Sequence, residues 1–256
     1  MNSTIETYIC FSLTSIRPQH SPTMPLQVSQ ISEQDIPGAI TCIQQAFKDD
    51  PYNHWVFDQA NFSYDRNAVS LGLRCRWGMH HALFHVAKDP DSQEPNKVLG
   101  VACWLPPSSP SAPQSWHDWA GDWRLYFSQI GMNLRYGRGG LNVKRYWIWK
   151  AKQADAQSSL WTDDKGYYFC NIVTVLPAAQ GKGIGKLLFK HVTDQADAEG
   201  RKCYLESSRA EPNMAIYEKM GFKLAKEMVC DDDGEAITLY CMMREPQVTV
   251  HEGATG

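Results

Sequence analysis

The 256-residue sequence contains no apolar run that approaches the roughly 18–20 residues of a membrane-spanning helix. It also lacks a Cys-x-x-Cys pair, since its eight cysteines are scattered singly, and this spacing argues against a zinc site or a disulfide framework. The net charge of −3 gives no support for a nucleic-acid or anionic-membrane surface as partner. These absences favour a globular protein with buried, reduced thiols, for which we expect a cytoplasmic location.

The domain organisation is predicted from the composition and from the places where the sequence pattern changes. At 43% hydrophobic residues the chain is able to form a sizeable core. Residues 1–23 lack the basic start of a signal peptide, and a more regular pattern opens at Met24, so we expect an extension or a disordered segment there. We expect one domain over residues 24–245, with an insert at about 106–162 that opens in a proline-rich stretch, and a flexible tail at 246–256.

Periodicity predicts a mixed α/β chain. Strands are expected at residues 26–31, 81–87 and 98–105, the last two as a hairpin, with helices at 36–47 and 66–79. After the insert, the pattern predicts a strand at 167–175, a helix at 183–198, a strand at 203–207, a short helix from Asn213, and a closing hairpin of strands at 222–230 and 236–243.

The insert is rich in tryptophan, with six of the nine tryptophans lying between Trp116 and Trp161. Trp116, Trp119 and Trp123 follow one another at i, i+3 and i+7, which places them on one stripe of a helix. Two interpretations stay open from the sequence. The stripe packs onto the core, or part of it roofs a ligand pocket, because such pockets are mostly apolar and aromatic.

A glycine-rich segment between a predicted strand and a predicted helix is the clearest functional signal. Its sequence is QGKGIGK over residues 180–186. Glycines let backbone N–H groups close around an anion, and a helix N-terminus adds a favourable dipole, so the segment predicts a phosphate or pyrophosphate site. It matches neither the Walker loop, because residue 187 is leucine, nor the dinucleotide-binding fingerprint, because residue 186 is lysine.

The Q-x-x-G-x-G spacing resembles the coenzyme A pyrophosphate loop of the GCN5-related N-acetyltransferases. A second segment, Asn213 to Phe222, is similar to the N-x-x-x-Y-x-x-x-G-F segment of the same superfamily. The stretches ACWLP at 102–106, YLESS at 204–208 and CMMR at 241–244 further resemble the puromycin N-acetyltransferase-like branch. The resemblance implies an α/β (α+β) fold with a central mixed, mostly antiparallel sheet, flanking helices and a helical Trp-rich insert.

The resemblance also implies acetyl-CoA as co-substrate and a set of residues that contact it. The strand end offers backbone groups to pantetheine, the glycine-rich loop holds the pyrophosphate, and the short helix contacts the cofactor. The expected cofactor-binding residues are Val173, Thr174, Val175, Gln180, Gly181, Lys182, Gly183, Ile184, Gly185, Lys186, Asn213 and Tyr217.

Tyr217 is the expected general acid for the departing thiolate, and Glu206 the expected base. The alternatives are a core aromatic for Tyr217, a strand carboxylate paired with a cation for Glu206, and a plain helix cap for Asn213. Asp50, Tyr52, Trp104 and Glu206 are the expected acceptor contacts. No metal is expected, because His80, His81 and His85 have no carboxylate or cysteine at ligand spacing.

The predicted function is transfer of acetyl from acetyl-CoA to a small-molecule primary amine, with an aminonucleoside or similar xenobiotic as candidate, in a ternary complex. The alternatives are a peptide or protein N-acetyltransferase and a non-catalytic acyl-CoA-binding sensor. We expect a monomer or homodimer with neither nucleic acid nor membrane as partner, since the short basic stretch Lys144-Arg145 is weak support for nucleic-acid binding.

Overall fold

The computed structural model describes residues 26–107 and 115–247. The predictions for residues 1–23 and for most of the tail at 246–256 lie outside these ranges, as does part of the insert, and the proposed domain limits remain a prediction. Among the described residues, no helix is both long and apolar enough to cross a bilayer.

Seven strands form one sheet in the order β1-β2-β3-β4-β5-β7-β6. The β4–β5 pair is parallel and the other neighbours are antiparallel, which confirms the mixed, mostly antiparallel sheet. The strands are β1 (Gln27–Gln30), β2 (Leu83–Lys88), β3 (Gly100–Leu105), β4 (Tyr167–Val175), β5 (Lys202–Ser207), β6 (Lys223–Asp232) and β7 (Glu235–Arg244).

Seven α-helices lie in the described residues. They are α1 (Ile36–Phe47), α2 (Pro51–Val56), α3 (Tyr64–His81), α4 (Trp116–Tyr136), α5 (Val143–Leu160), α6 (Ile184–Ala198) and α7 (Asn213–Glu218). The predicted helices agree with α1, α3, α6 and α7 within a few residues. The short α2 was not predicted; it begins where the Asp50 side chain accepts a hydrogen bond from the Asn53 N–H, a local cap with no long apolar period behind it.

Helices α1 and α6 cover opposite faces of the sheet. The Cys42 thiol of α1 lies 3.5 Å from the Thr174 hydroxyl, whereas Ile184 of α6 lies beside Gly100, the β3 residue opposite Val175. Side chains of successive strand residues point to opposite faces, so the neighbours Thr174 and Val175 meet different helices. The core therefore has two apolar layers, and β4, buried along its whole length, lies between them.

The two helices of the insert take different positions. Helix α4 packs along α3, and α5 packs along β6. Several ion pairs hold α5 to the β6–β7 hairpin, among them those from Arg145 to Asp232 and from Lys226 to Asp155. Helix α5 thus adds a layer over the end of the sheet at which β5, β6 and β7 lie.

The tryptophan stripe of α4 does not pack onto the core. Trp116 is 80% exposed and Trp119 is 45% exposed, and Trp123 is half-buried. The core-packing interpretation is therefore wrong, because α4 buries Leu125, Gln129 and Met132 instead and turns the stripe outward.

Candidate active site

The parallel strands β4 and β5 separate at mid-sheet. Their pairing runs from Tyr167–Lys202 to Cys170–Leu205 and goes no further. At this point β4 also bulges, since Cys103 and Trp104 of β3 pair with Ile172 and Cys170 and leave Asn171 as the extra residue. A bulge increases the local twist and turns a strand away from its neighbour. Within the part of the chain that the structure describes, the β5-facing edge of residues 172–175 is consequently left without a strand partner.

The glycine-rich segment lies just beyond the end of β4. Gly181 and Gly183 have φ values of 79° and 80°, in the left-handed region that glycine adopts without a Cβ clash. Gly183 is the N-cap of α6, and no side chain caps the helix there. The first N–H groups of α6 thus have no intrahelical partner and point toward the opening, as the sequence predicted for an anion site.

A groove of about 390 Å³ joins the loop to the short helix α7. Exposed lysines stand on both sides of it, Lys186 on α6 and Lys219 just after α7, so the groove has a cationic rim over an apolar floor. The residues that line it are Val175, Ala179, Gln180, Gly181, Gly183, Ile184, Gly185, Lys186, Ile216, Lys219 and Met220. Seven of the twelve expected cofactor residues are therefore brought together around one groove.

Helix α7 supplies Asn213 and Tyr217. Asn213 is its first residue, and the N-cap is Pro212, so the interpretation of Asn213 as a plain cap is wrong. The Asn213 amide is buried, and its Nδ2 donates to no partner among the described residues. Tyr217 is fully buried, with its ring 5.6 Å from that of Phe189 and 6.3 Å from that of Phe222.

A second orphaned amide lies at the bulge itself. Asn171 is buried, and its Oδ1 likewise accepts no hydrogen bond from the described residues. Buried polar groups in native proteins nearly always have partners, so each such atom calls for an explanation. Because Asn171 and Asn213 belong to the elements that border the opening, a bound molecule with amide groups is a natural partner for both.

Glu206 lies on β5, one residue past the last pair with β4. Its carboxylate is 1% exposed and accepts hydrogen bonds from Gln153 Nε2 at 2.8 Å and Tyr204 Oη at 2.9 Å. Burial raises the pKa of Glu206, although these hydrogen bonds and the nearby Lys150 act against the rise. Burial also lowers the pKa of Lys150. The site therefore holds two groups with shifted pKa values near each other. Glu206 takes up a proton more readily than an exposed glutamate, and Lys150 loses its proton more readily than an exposed lysine.

Two of the expected acceptor contacts, Asp50 and Tyr52, lie at the start of α2. Asp50 is buried, caps α2, and accepts a hydrogen bond of 2.5 Å from the Ser208 hydroxyl just beyond β5. Burial raises its pKa, which the Ser208 hydrogen bond partly offsets. Tyr52 packs against Trp149 of α5, with the ring centroids 5.2 Å apart.

Trp104 does not lie with the other expected acceptor contacts. It is fully buried and packs edge-on against Phe189 of α6. Trp104 thus belongs to the packing between β3 and α6, and its contact with an acceptor stays a prediction.

Helix α5 contributes site residues that the sequence analysis missed. Trp149, Lys150 and Gln153 lie on its inner side, and the first and last of these are almost completely buried next to Tyr52 and Glu206 respectively. The tryptophan content of the insert was the signal for this layer. The pairing of Gln153 with Glu206 joins residues 53 positions apart, and no local pattern reports such a contact.

The structure also corrects the argument about histidines and metal ligands. Asp118 of α4 lies beside His81, whose Nδ1 is 2.9 Å from the Asp118 Oδ1, and His117 is the third member of this group. A carboxylate is therefore near His81 after all, brought there by the α3–α4 packing. It also accepts a hydrogen bond of 2.6 Å from the Ser115 hydroxyl, so its hydrogen bonds connect the two helices.

Seven of the eight cysteines are described, and all seven are buried free thiols. Burial raises the pKa of Cys42 to about 11 and that of Cys203 to about 12. These thiols are therefore protonated at neutral pH and poor nucleophiles. This agrees with the expectation of buried, reduced thiols.

Comparison with known proteins gives a consistent picture. A family model described as the acetyltransferase (GNAT) domain matches residues 143–224, which include α5, β4, the glycine-rich loop and α7. An uncharacterized N-acetyltransferase of Schizosaccharomyces pombe is 29% identical over 164 residues, 60% of this chain and 59% of its own. A second one from the same organism is 35% identical over 100 residues, 38% of this chain and 42% of its own. The chain thus spans less than two thirds of these relatives.

Solved structures share the fold at low identity. A structure from Corynebacterium glutamicum, described as histone acetyltransferase HPA2 and related acetyltransferase, has a TM-score of 0.53 at 18% identity and covers 89% of this chain and 99% of its own. Arylalkylamine N-acetyltransferase 2 of Aedes aegypti has a TM-score of 0.56 at 15% identity, with 87% and 99% covered. At these identities the likeness concerns the fold alone.

Proposed function

We propose that this chain, which matches the acetyltransferase (GNAT) domain model over residues 143–224, is a GCN5-related N-acetyltransferase that transfers an acetyl group from acetyl-CoA to a primary amine. One observation carries the proposal. The opening where β4 leaves β5 continues into a groove that ends at the uncapped start of α6. This path suits a long molecule with amides in its middle and a pyrophosphate at one end, which is the chemistry of coenzyme A.

The cofactor is held from both ends in this proposal. The pyrophosphate lies against the backbone N–H groups of residues 180–186, where the helix dipole and Lys182 and Lys186 favour negative charge. Pantetheine follows the unpaired edge of Val173, Thr174 and Val175, as an added strand would. The Thr174 hydroxyl already meets Cys42, so Thr174 contributes its backbone only.

In this proposal the thioester lies between Glu206 and Tyr217. The amine nitrogen attacks the thioester carbonyl carbon, a C–N bond forms, and the C–S bond breaks. The proton lost by nitrogen goes to Glu206, directly or through water, and the departing thiolate takes a proton from Tyr217. The products are an acetamide and free CoA. Backbone N–H groups at the bulged end of β4 are suited to stabilise the oxyanion.

The acceptor side favours a small amine. Helix α5 lies over Glu206, and Trp149, Tyr52 and Gln153 fill the space beside it. Arg145 fixes α5 further by donating to Asp232 at 2.9 Å. A fixed aromatic layer suits a compact, planar or apolar acceptor such as an aminonucleoside better than an extended peptide, which needs an open groove.

The proposal is tested by mass-spectrometric detection of acetylated product. The protein is incubated with acetyl-CoA and, separately, puromycin, a panel of other primary amines, and short peptides with free N-termini. We expect product from at least one small amine and none from the peptides. Product from the peptides alone would replace the small-molecule acceptor by a peptide, and CoA binding without any product would favour an acyl-CoA sensor.

A matched pair of variants separates catalysis from folding in the same assay. Tyr217→Phe removes the proposed proton donor, whereas Tyr64→Phe removes the hydroxyl of a 54% exposed tyrosine at the start of α3. We expect product formation to fall in the first variant and to be unchanged in the second. Equal activity in both variants would leave Tyr217 as a core aromatic, the alternative that the sequence left open.

A further inference from the structure

Helix α4 presents its apolar side to the surroundings. At about 100° per residue, the large exposed apolar side chains of this helix, with the exception of Tyr136 at its end, fall on one arc of about 140° that contains no charged residue. The arc extends for about 27 Å along the helix axis. Its members, here called the α4 stripe, are Trp116, Trp119, Ala120, Trp123, Tyr126, Phe127, Ile130, Gly131 and Leu134.

The opposite side of α4, which carries the buried Leu125 and Met132 together with several polar residues, packs onto α3. Asp118 is hydrogen-bonded to His81, Asp122 accepts from the Trp77 indole at 3.1 Å, and Asn133 accepts from Arg66 at 2.7 Å. The helices also approach closely at Gly121, where an added Cβ would lie 2.2 Å from His81 Nε2. These contacts fix the rotation of α4 about its axis. The helix is therefore unable to roll its aromatic residues inward, and the stripe stays exposed in a lone protomer.

We propose that the α4 stripe is the interface of a homodimer in which the α4 helices of two copies pair antiparallel. The exposed apolar area of the stripe is close to what each side of a protein–protein interface buries. If a fully exposed side chain of this kind offers about 150–250 Å², the exposed fractions of six of the seven large members, without the half-buried Trp123, amount to roughly 700 Å² per protomer. Each side of a standard interface buries about 800 Å², and the largest apolar patch of a monomer is typically about 300–600 Å².

The stripe is complementary to itself in size and charge. In an antiparallel pair centred near residue 125, Trp116 faces Leu134 of the second copy, and Trp123 faces Phe127. The small members Ala120 and Gly131 then lie level with Ile130 and Trp119 of the second copy, and a Cβ added at Gly131 would meet no atom within 4 Å. Large side chains thus have room beside small ones, and no charge of one copy meets a like charge of the other.

A membrane surface fits the stripe less well. Helices that lie in a bilayer interface are rich in lysine and arginine on their polar face. Helix α4 has no lysine, its two arginines are balanced by two aspartates, and its polar face is bonded to α3. A lipid surface is accordingly the second outcome that the experiment has to distinguish.

Sedimentation equilibrium from nanomolar to tens of micromolar protein tests the dimer. We expect the wild type to dimerise and Phe127→Glu to raise the dimer Kd by at least about 30-fold, the effect of a central interface residue. Trp147→Glu is the matched control, since Trp147 is a 56% exposed aromatic on α5, outside the stripe; its dimer Kd should not change. Circular dichroism melts of both variants establish that they fold.

The outcomes that would overturn the proposal are distinct. A wild type that is monomeric at every concentration removes the dimer, and co-sedimentation of that monomer with phosphatidylcholine–phosphatidylserine vesicles assigns the stripe to a lipid surface. A dimer that Phe127→Glu leaves unchanged uses another face. Antiparallel pairing is checked independently by mixing Trp116→Cys with Leu134→Cys and adding a short bis-maleimide. We expect cross-linked dimers in the mixture, and their absence would exclude the antiparallel arrangement.

Discussion

Substituting Gly183 by alanine tests the cofactor groove with little change elsewhere. The residue has φ 80°, and a Cβ built on it meets no atom of the protein within 4 Å. The methyl group therefore projects into the space in front of the α6 N-terminus, where the pyrophosphate lies in our proposal. Gly234 offers a matched control, because it has φ 96° and equally open surroundings but lies in the turn between β6 and β7.

The magnitudes differ for stability and for binding. A left-handed conformation costs a residue with a Cβ about 1–2 kcal/mol, so both variants should melt a few degrees below the wild type. Only Gly183→Ala should displace a backbone N–H from its phosphate oxygen. A hydrogen bond to a charged group is worth about 1.5–3 kcal/mol, which corresponds to roughly a 10- to 150-fold rise in the Kd for CoA.

The assay is isothermal titration calorimetry with CoA on the two variants and the wild type, accompanied by thermal melts. We expect Gly234→Ala to bind CoA like the wild type and Gly183→Ala to bind it at least about 10-fold more weakly. If the two variants lose the same thermal stability and bind CoA equally well, the loop does not hold the pyrophosphate and the groove has another role.

Three further predictions address catalysis and stability. Tyr217→Phe should lower kcat by about 100-fold or more and leave the Kd for CoA within a factor of about three of the wild type, as stopped assays and calorimetry will determine; an unchanged kcat would contradict its role as proton donor. Glu206 acts as base only when ionised, so Glu206→Gln should abolish the rise of rate with pH through the raised pKa of Glu206; a pH–rate profile that keeps this rise would exclude it as the base. Arg244→Ala breaks a buried two-bond pair with Asp197, with distances of 2.6 and 2.7 Å, and should cost about 3 kcal/mol in urea unfolding at neutral pH. Burial raises the pKa of Asp197, but the hydrogen bonds from Arg244 and the Gln247 N–H together outweigh burial and keep this pKa below 3.8. The contribution of the pair is therefore present above that pH and is lost as the pH falls below it; a stability difference between wild type and variant that stays the same in acid would refute this.

The sequence predicts the parts of the fold that are locally encoded. Strand β4 occupies Tyr167–Val175 as predicted, because a continuous apolar run bounded by glycine and proline defines a buried strand. The glycines of the loop likewise predict its positive-φ turn, and the Asn213–Phe222 segment predicts the short helix α7. Each of these features depends on neighbours within about ten residues along the chain, which is the range over which periodicity and turn residues act.

The features that escaped prediction depend on contacts across the insert. The spacing of Trp116, Trp119 and Trp123 predicts their common face correctly but not its direction, which is fixed by the polar contacts of α4 with α3. Trp104 is an aromatic residue of the kind that lines pockets, yet it is buried against Phe189 of α6. In the same way, Gln153 reaches Glu206 only because the β6–β7 hairpin holds α5 in place.

Hydrogen–deuterium exchange with and without CoA locates the cofactor most directly. The account predicts slower exchange for the backbone amides of residues 181–186 and of 172–175 when CoA is bound, since these line the loop and the unpaired edge of β4. It predicts unchanged exchange in the turn between β6 and β7. Protection that leaves both segments unaffected, in a sample shown by calorimetry to bind CoA, would contradict the placement of the cofactor between β4 and β5.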